Sequence, residues 1–133
     1  MRYVEKIPPV EGYAALRAAV GWSALPPEAM KAGLEAALYS VSVYDDDRLV
    51  GCGRVVGDGG LYFYIQDIIV TPEYQGRGVG EGIMERVMAY LKKHARENAF
   101  IGLMAAVGVE EFYHRYGFQR RPDDRPGMFR IWT

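Results

Sequence analysis

The 133-residue sequence lacks several residue patterns that mark specialised classes of protein. It contains one cysteine, Cys52, so no disulfide can form within the chain and a disulfide-stapled secreted scaffold is excluded. Its two histidines, His94 and His114, are far apart in the sequence, and no cysteine cluster lies near either. This spacing does not fit a zinc site, and we expect no metal.

A strong charge of either sign and a long apolar run are also missing. Sixteen Lys and Arg against seventeen Asp and Glu give a net charge of −1, whereas a nucleic-acid-binding surface usually needs a basic excess. The longest apolar run, Ala99–Val109, contains two glycines and is too short to span a bilayer. Residues Met1–Pro9 hold no apolar stretch of the signal-peptide kind. We therefore expect a cytoplasmic protein with neither nucleic acid nor membrane as a partner.

The length of the chain and its glycine content are informative features that the sequence does contain. The length falls within the roughly 100–200 residues of one domain, and no linker-like or low-complexity stretch divides the chain. We therefore expect a single domain over residues 1–133. Glycine accounts for 16 of the 133 residues, clearly above the average of about 7%.

Apolar periodicity predicts an alternation of strands and helices in the order βααβββαβαβ. The predicted helices are Val10–Val20, Pro26–Leu38, Gly78–His94 and Val109–Tyr116. The predicted strands are Tyr3–Ile7, Tyr39–Tyr44, Leu49–Val56, Leu61–Val70, a buried strand Phe100–Ala105 and a last strand near Met128–Trp132. This order indicates an α/β fold with one mixed sheet and helices on both of its faces.

The most informative stretch is Gln75–Gly80, with the sequence Gln-Gly-Arg-Gly-Val-Gly. It follows a predicted buried strand and opens a predicted helix. Alternating glycines allow a close backbone approach, and the first helical turn offers unpaired amides at the positive end of the helix dipole. The stretch therefore predicts a cradle for a phosphate or pyrophosphate, with Arg77 adding positive charge, although a plain glycine-rich turn is the alternative. Neither a P-loop nor a dinucleotide-binding pattern fits these glycines.

Two segments resemble motifs of the GCN5-related N-acetyltransferase (GNAT) superfamily. Gln75–Gly80 matches Gln/Arg-x-x-Gly-x-Gly/Ala, the acetyl-CoA pyrophosphate loop of that family, and Asp67–Tyr74 before it looks like the family's central strand and turn. Phe112–Phe118 resembles its Tyr-x-x-x-Gly-Phe element. The element order extends the resemblance over nearly the whole chain. It implies a small, bacterial-type single-domain member with a GNAT-like mixed central sheet, in which a splayed central strand pair holds acetyl-CoA.

The resemblance also implies which residues bind acetyl-CoA. The pantetheine arm is expected to pair with the end of the central strand, and a backbone N–H near Ile69 or Val70 is expected to polarise the thioester carbonyl. The pyrophosphate is expected on the backbone amides of the glycine loop. The implied cofactor-binding residues are Ile68, Ile69, Val70, Gln75, Gly76, Arg77, Gly78, Val79, Gly80 and Glu81. One departure is Ala106, at a position where many members carry an asparagine that contacts the cofactor.

The resemblance implies direct attack by an amine in a ternary complex, so no enzyme nucleophile is required and Cys52 is expected to be a small buried residue. Tyr113 matches the family's general acid, with Tyr116 as the alternative donor. A phenol with a pKa near 10 is protonated at neutral pH and can protonate a departing thiolate. Asp67 is the first candidate for the base. A carboxylate that holds loop backbone is the other interpretation of Asp67, and a water chain can take the place of a base.

The acceptor is the least constrained part of the prediction. A primary amine of a small molecule is our first expectation. A peptide or protein acetyltransferase is the alternative, and a non-catalytic acyl-CoA-binding sensor is a third hypothesis from a different class. A homodimer paired through the C-terminal strand is an expectation drawn from the habit of the family.

Overall fold

The computed structural model describes all 133 residues. The chain forms two compact units, residues 1–103 and residues 104–133. The first unit holds a β-sheet and three α-helices, and the second holds one short α-helix.

The first unit is built on a five-stranded sheet whose strands follow the order β1-β2-β3-β4-β5. The strands are β1 (Arg2–Val4), β2 (Tyr39–Asp45), β3 (Arg48–Gly57), β4 (Tyr62–Val70) and β5 (Phe100–Gly102). The first four pair antiparallel with their neighbours, and β5 pairs parallel with β4. The mixed sheet predicted from the sequence is therefore confirmed.

Three helices of the first unit cover the two faces of this sheet. They are α1 (Val10–Ala19), α2 (Pro27–Glu35) and α3 (Val79–His94). Cys52 of β3 is buried on one face, in a cluster with residues of α1 and α2 that include Leu16 and Leu34. On the other face, a Cβ at Gly53 would stand 2.6 Å from Ile83 Cγ2 of α3. Because side chains alternate along a strand, these contacts confirm the prediction of helices on both faces.

For the first strand and for α2, a local hydrogen bond explains why the element ends earlier than the sequence predicts. The amide of Lys6 donates to Val4 O at 2.8 Å, so the first strand is Arg2–Val4 rather than Tyr3–Ile7. Helix α2 ends at Glu35 rather than Leu38, because the Leu38 amide donates to Val55 O of β3 at 2.8 Å. In both cases the amide donates to a carbonyl oxygen that it would not reach if the strand or the helix continued.

The predicted buried strand Phe100–Ala105 is wrong in extent and in burial. The strand ends at Gly102, and the side chain of Phe100 is 46% exposed. It occupies the edge of the sheet, where one side of the strand has no strand partner. An edge position therefore explains the exposure that the apolar run concealed.

The second unit contains α4 (Glu110–His114), which is shorter than the predicted Val109–Tyr116. No strand follows it, so the predicted strand near Met128–Trp132 is wrong. A strand needs backbone partners on a neighbouring strand, and this segment pairs with none. Its apolar side chains, Met128, Phe129, Ile131 and Trp132, are between 76% and 86% exposed.

Candidate active site

The C-terminal half of β4 has a sheet edge without a strand partner, which we call the open edge of β4. Strand β5 pairs with β4 only over Tyr62–Tyr64, whereas β3 pairs with β4 as far as Val70. The amide of Thr71 donates to Val50 O of β3 at 2.9 Å. Because successive backbone groups alternate in direction, the N–H of Val70 points to the open edge. The edge is open because β5 ends at Gly102, and a splayed strand pair, which the resemblance implies, stays a prediction.

A β-bulge interrupts β4 immediately before this open edge. Cys52 and Arg54 of β3 pair with Ile69 and Gln66 of β4, so two residues of β4 oppose one residue of β3. The first of these two is Asp67, which has a φ of +58°. A left-handed backbone is uncommon for residues other than glycine, although aspartate tolerates it better than most.

The side chain of Asp67 is buried and accepts hydrogen bonds on both carboxylate oxygens. Its Oδ2 accepts hydrogen bonds from Tyr13 Oη at 2.7 Å and from Arg54 Nε at 2.6 Å. Its Oδ1 accepts one from Gln66 Nε2 at 3.0 Å and lies 3.9 Å from Arg17 Nη1. Both carboxylate oxygens therefore already have donors, and a positive guanidinium compensates the buried charge.

The glycine loop begins with a 3₁₀ turn over Pro72–Tyr74 and leads directly into α3. Gly76 and Gly78 have φ values of +76° and +80°. Gly78 is the N-cap of α3, and no side chain caps that end. The amide of Gly82 donates to Gly78 O at 3.0 Å and so closes the first turn of the helix. The backbone therefore presents the start of α3 in the form that suits an anion.

A cluster around Tyr74 fastens this loop to the turn between β2 and β3. Tyr74 Oη donates to Asp45, and Arg48 pairs with Glu73. The guanidinium carbons of Arg77 and Arg48 lie 5.0 and 5.4 Å from the centre of the Tyr74 ring. Sequence reasoning selected Arg77 but missed Tyr74, Asp45 and Arg48. The one signal was an aromatic residue beside a glycine-rich loop.

A glutamine side chain donates a hydrogen bond to one backbone carbonyl at the end of β4. Gln75 Nε2 donates to Val70 O at 2.9 Å. The end of β4 at Val70 is thus joined to the loop by the first residue of the glycine motif. All the predicted cofactor-binding residues lie in the first unit, at the end of β4, in the loop and in the first turn of α3.

Tyr113 lies on α4 of the second unit. Its ring makes an edge contact with Phe112 at 5.1 Å, and its carbonyl accepts hydrogen bonds from the amides of Tyr116 and Phe118. Burial raises the pKa of Tyr113 above the ordinary value of 10.0. The phenol therefore keeps its proton at neutral pH, as a proton donor must.

Two other kinds of feature are absent from the chain. No helix combines the length and the apolar composition needed to cross a bilayer. No group of three or more His, Cys, Asp or Glu side chains is arranged to hold a metal ion.

Comparisons with known proteins agree on one family. A family model described as an acetyltransferase (GNAT) domain matches residues 11–127. A solved Staphylococcus aureus structure, described as "Probable Acetyltransferase", is 40% identical, covers 98% of this chain and 98% of its own, and has a TM-score of 0.93. An uncharacterised N-acetyltransferase of Porphyra purpurea is 32% identical over 114 residues, which are 83% of this chain and 64% of the relative.

A further relative is named for its substrate. Serotonin N-acetyltransferase 2, chloroplastic, of Oryza sativa subsp. japonica is 38% identical over 81 residues, which are 61% of this chain and 40% of the relative. The chain thus spans less than two thirds of the length of these two curated relatives.

The family match runs through both compact units and includes the open edge of β4, the glycine loop and α4. Its extent, together with the close likeness to the Staphylococcus aureus structure, shows that the chain belongs to the GNAT acetyltransferase family.

Proposed function

We propose that the protein is an acetyl-CoA-dependent N-acetyltransferase that acetylates a primary amine of a small molecule, with direct attack in a ternary complex. The observation that carries this proposal is the glycine loop, which has Gly76 and Gly78 in left-handed conformations and joins the open edge of β4 to α3. We further propose that the two compact units act as one domain over residues 1–133, because the family match spans both.

The residues of the first unit fit acetyl-CoA, which supplies the acetyl group as a reactive thioester. The amides at the start of α3 and the charge of Arg77 suit a pyrophosphate. A Cβ at Gly76 would meet nothing within 4 Å, so the loop has space beside its backbone. The open edge of β4 at Ile68–Val70 suits an extended arm that carries amide groups. We assign the cofactor to these residues and to Gln75, Val79, Gly80 and Glu81.

Tyr113 is proposed as the general acid. Its phenol retains a proton at neutral pH because burial raises its pKa, and a positioned acid of this kind contributes about 10²–10⁴-fold to a rate. Tyr116, three residues later, is the alternative donor and provides a matched variant.

The attacking amine must lose a proton, and Asp67 was the sequence's first candidate for that step. A buried carboxylate whose two oxygens already accept hydrogen bonds from the side chains of Tyr13, Arg54 and Gln66 supports a structural role for Asp67, although its partners are side chains rather than the loop backbone that the sequence suggested. We therefore propose that water removes the proton.

The acceptor is proposed to be a small amine, and the rice relative named for serotonin makes aromatic amines the first class to test. A cytoplasmic location stays a prediction, since that same relative is described as chloroplastic.

A homodimer is proposed through residues 128–132, the segment whose four large apolar side chains are exposed. Light scattering of the full chain and of a chain that ends at Gly127 tests it. A dimer that becomes a monomer on truncation supports this interface, and a full-length monomer overturns it.

The function is tested by thiol release from acetyl-CoA with a panel of aromatic amines, polyamines, aminoglycosides, amino acids and short peptides. We expect turnover with one class of small amine, and a fall in kcat of about 10²-fold or more for Tyr113→Phe with unchanged acetyl-CoA affinity. Tyr116→Phe is the matched control and should retain its rate. Turnover on peptides alone would replace the small-molecule acceptor, binding without turnover would indicate a sensor, and the absence of acetyl-CoA binding would overturn the whole proposal.

A further inference from the structure

We infer that Asp67 is a positioning residue: its buried carboxylate holds the bulge of β4 and thereby fixes the backbone of Ile68–Val70 at the open edge. The inference deepens the proposed function and rests on it, because that backbone is where we place the reacting end of acetyl-CoA.

The bulge requires stabilising contacts, because it places a residue other than glycine in a left-handed backbone conformation. Asp67 adopts a left-handed φ of +58° in the middle of a strand. Its side chain hydrogen-bonds that of Gln66, its immediate neighbour, at 3.0 Å. In a regular strand consecutive side chains point to opposite faces, so this contact exists only because the bulge places both on the same face.

Donors from three different elements converge on the carboxylate. Tyr13 reaches it from α1, Arg54 from β3 and Gln66 from β4 itself. Arg54 also donates through Nη1 to Gly33 O of α2 at 2.9 Å. Through these contacts the bulge is tied to both helices on that face of the sheet.

The same geometry argues against a base at this position. The Asp67 side chain is 1% exposed, and its shortest contact is with a permanently charged guanidinium at 2.6 Å. An amine that gave its proton to Asp67 would have to reach a buried carboxylate that already accepts three hydrogen bonds.

The bulge matters because it sets which backbone groups face the open edge. One extra residue in a strand reverses the direction of every following group. Without the bulge, the amide of Val70 would therefore point towards β3. A misplacement of about 1 Å in a reacting site costs on the order of 10²-fold in rate.

Three variants distinguish a positioning role of Asp67 from a role as general base. Asp67→Asn and Asp67→Gly both tolerate the left-handed backbone and remove the charge. Arg54→Gln leaves the carboxylate in place and removes its main partner. Glu97→Gln, an exposed carboxylate in the loop after α3, is the matched control. The measurements are kcat and its pH profile, acetyl-CoA affinity by calorimetry, and amide hydrogen exchange.

We expect all three variants, but not the control, to lose on the order of 10²-fold in kcat and to bind acetyl-CoA more weakly, with the shape of the pH–rate profile retained. We also expect faster exchange at the amides of Ile69 and Thr71, which face β3, while the β2–β3 pairing keeps its protection. A partial recovery in Arg54→Lys, which keeps the charge, would support the same conclusion.

A loss confined to Asp67→Asn and Asp67→Gly, with a changed acid limb of the pH profile and unchanged acetyl-CoA affinity, would make Asp67 the base and overturn the inference. Unchanged exchange at Ile69 and Thr71 would overturn it as well. The exchange experiment needs neither ligand nor turnover, so it decides the inference even if the wild type fails to bind acetyl-CoA and the proposed function falls. If the Asp67 variants do not fold, Arg54→Gln and Arg54→Lys carry the same test.

Discussion

The ring of Tyr3 occupies the space that a side chain at Gly82 would fill. A Cβ on Gly82 would stand 2.2 Å from Tyr3 Oη and 2.5 Å from Tyr3 Cζ. Arg86 stacks on the same ring, with its guanidinium carbon 3.9 Å from the ring centre, and donates to Gly82 O at 2.9 Å. Gly82 continues the alternating glycines of the loop in sequence, but its place in α3 is explained by the packing of β1 against that helix.

This contact predicts that the effect of Gly82→Ala changes sign with its partner. In the wild type the substitution should destabilise the fold by about 1–3 kcal/mol, because the ring and the Arg86 stacked on it must move. In a Tyr3→Ala background it should stabilise by about 0.5–1 kcal/mol, the ordinary gain of alanine over glycine within a helix. Urea unfolding of the four proteins measures both values. Equal effects in the two backgrounds would show that Tyr3 does not account for the glycine.

The loop glycines predict a loss of acetyl-CoA affinity in addition to a loss of stability. Gly76→Ala places a side chain on a left-handed residue, at a cost of about 1–2 kcal/mol, and should also weaken acetyl-CoA binding because the loop backbone must change. Gly21→Ala is a close control, since Gly21 has a φ of +79° and, as at Gly76, an added Cβ would meet nothing within 4 Å. We expect both variants to lose similar stability in urea and only Gly76→Ala to lose affinity by calorimetry. Equal affinities would remove Gly76 from the cofactor site.

The sequence was sufficient where a pattern is local. Strands β2 and β3 and helix α3 lie within one residue of their predicted ends, because alternation and helical spacing are set by burial on one face. The Gln75–Gly80 loop was located for the same reason, since its glycines and the helix start that they precede are neighbours in the chain. The mixed sheet and the helices on both of its faces followed from these elements, whereas the family came from the resemblance of Gln75–Gly80 and Phe112–Phe118 to known motifs.

The sequence was insufficient where the partner is distant. Tyr13 and Asp67 are 54 residues apart, and no spacing rule indicates that one would bond the other. The bulge, the hydrogen bond from Arg54 to Asp67 and the one from Tyr74 to Asp45 likewise depend on residues that are distant in the sequence. Strand β5 and the segment 128–132 were overpredicted because an apolar run indicates burial only when another element is available to cover it.

The Tyr13–Asp67 hydrogen bond predicts how stability depends on alkaline pH. Burial, and then the bond to the Asp67 carboxylate, raises the pKa of Tyr13 above 10.0. A phenol whose pKa is higher in the folded than in the unfolded protein stabilises the fold fully below the unfolded value, and that contribution is lost as the pH rises through the folded value. The free energy of unfolding should therefore be level between about pH 7 and pH 9 and fall above about pH 10.

The variant Tyr13→Phe separates the contribution of this phenol to the pH dependence of stability from the contributions of the other tyrosines. At pH 7 it should lose about 1.5–3 kcal/mol, the value of a hydrogen bond to a charged acceptor. Above about pH 10 its stability should fall less steeply than that of the wild type, because the ionisation of the phenol is absent. Tyr62→Phe, at an exposed tyrosine, should follow the wild-type curve in urea unfolding across the same pH series. Parallel curves for Tyr13→Phe and the wild type above pH 10 would mean that this phenol ionises alike in the folded and unfolded chains, and the Asp67 carboxylate would then not hold its proton.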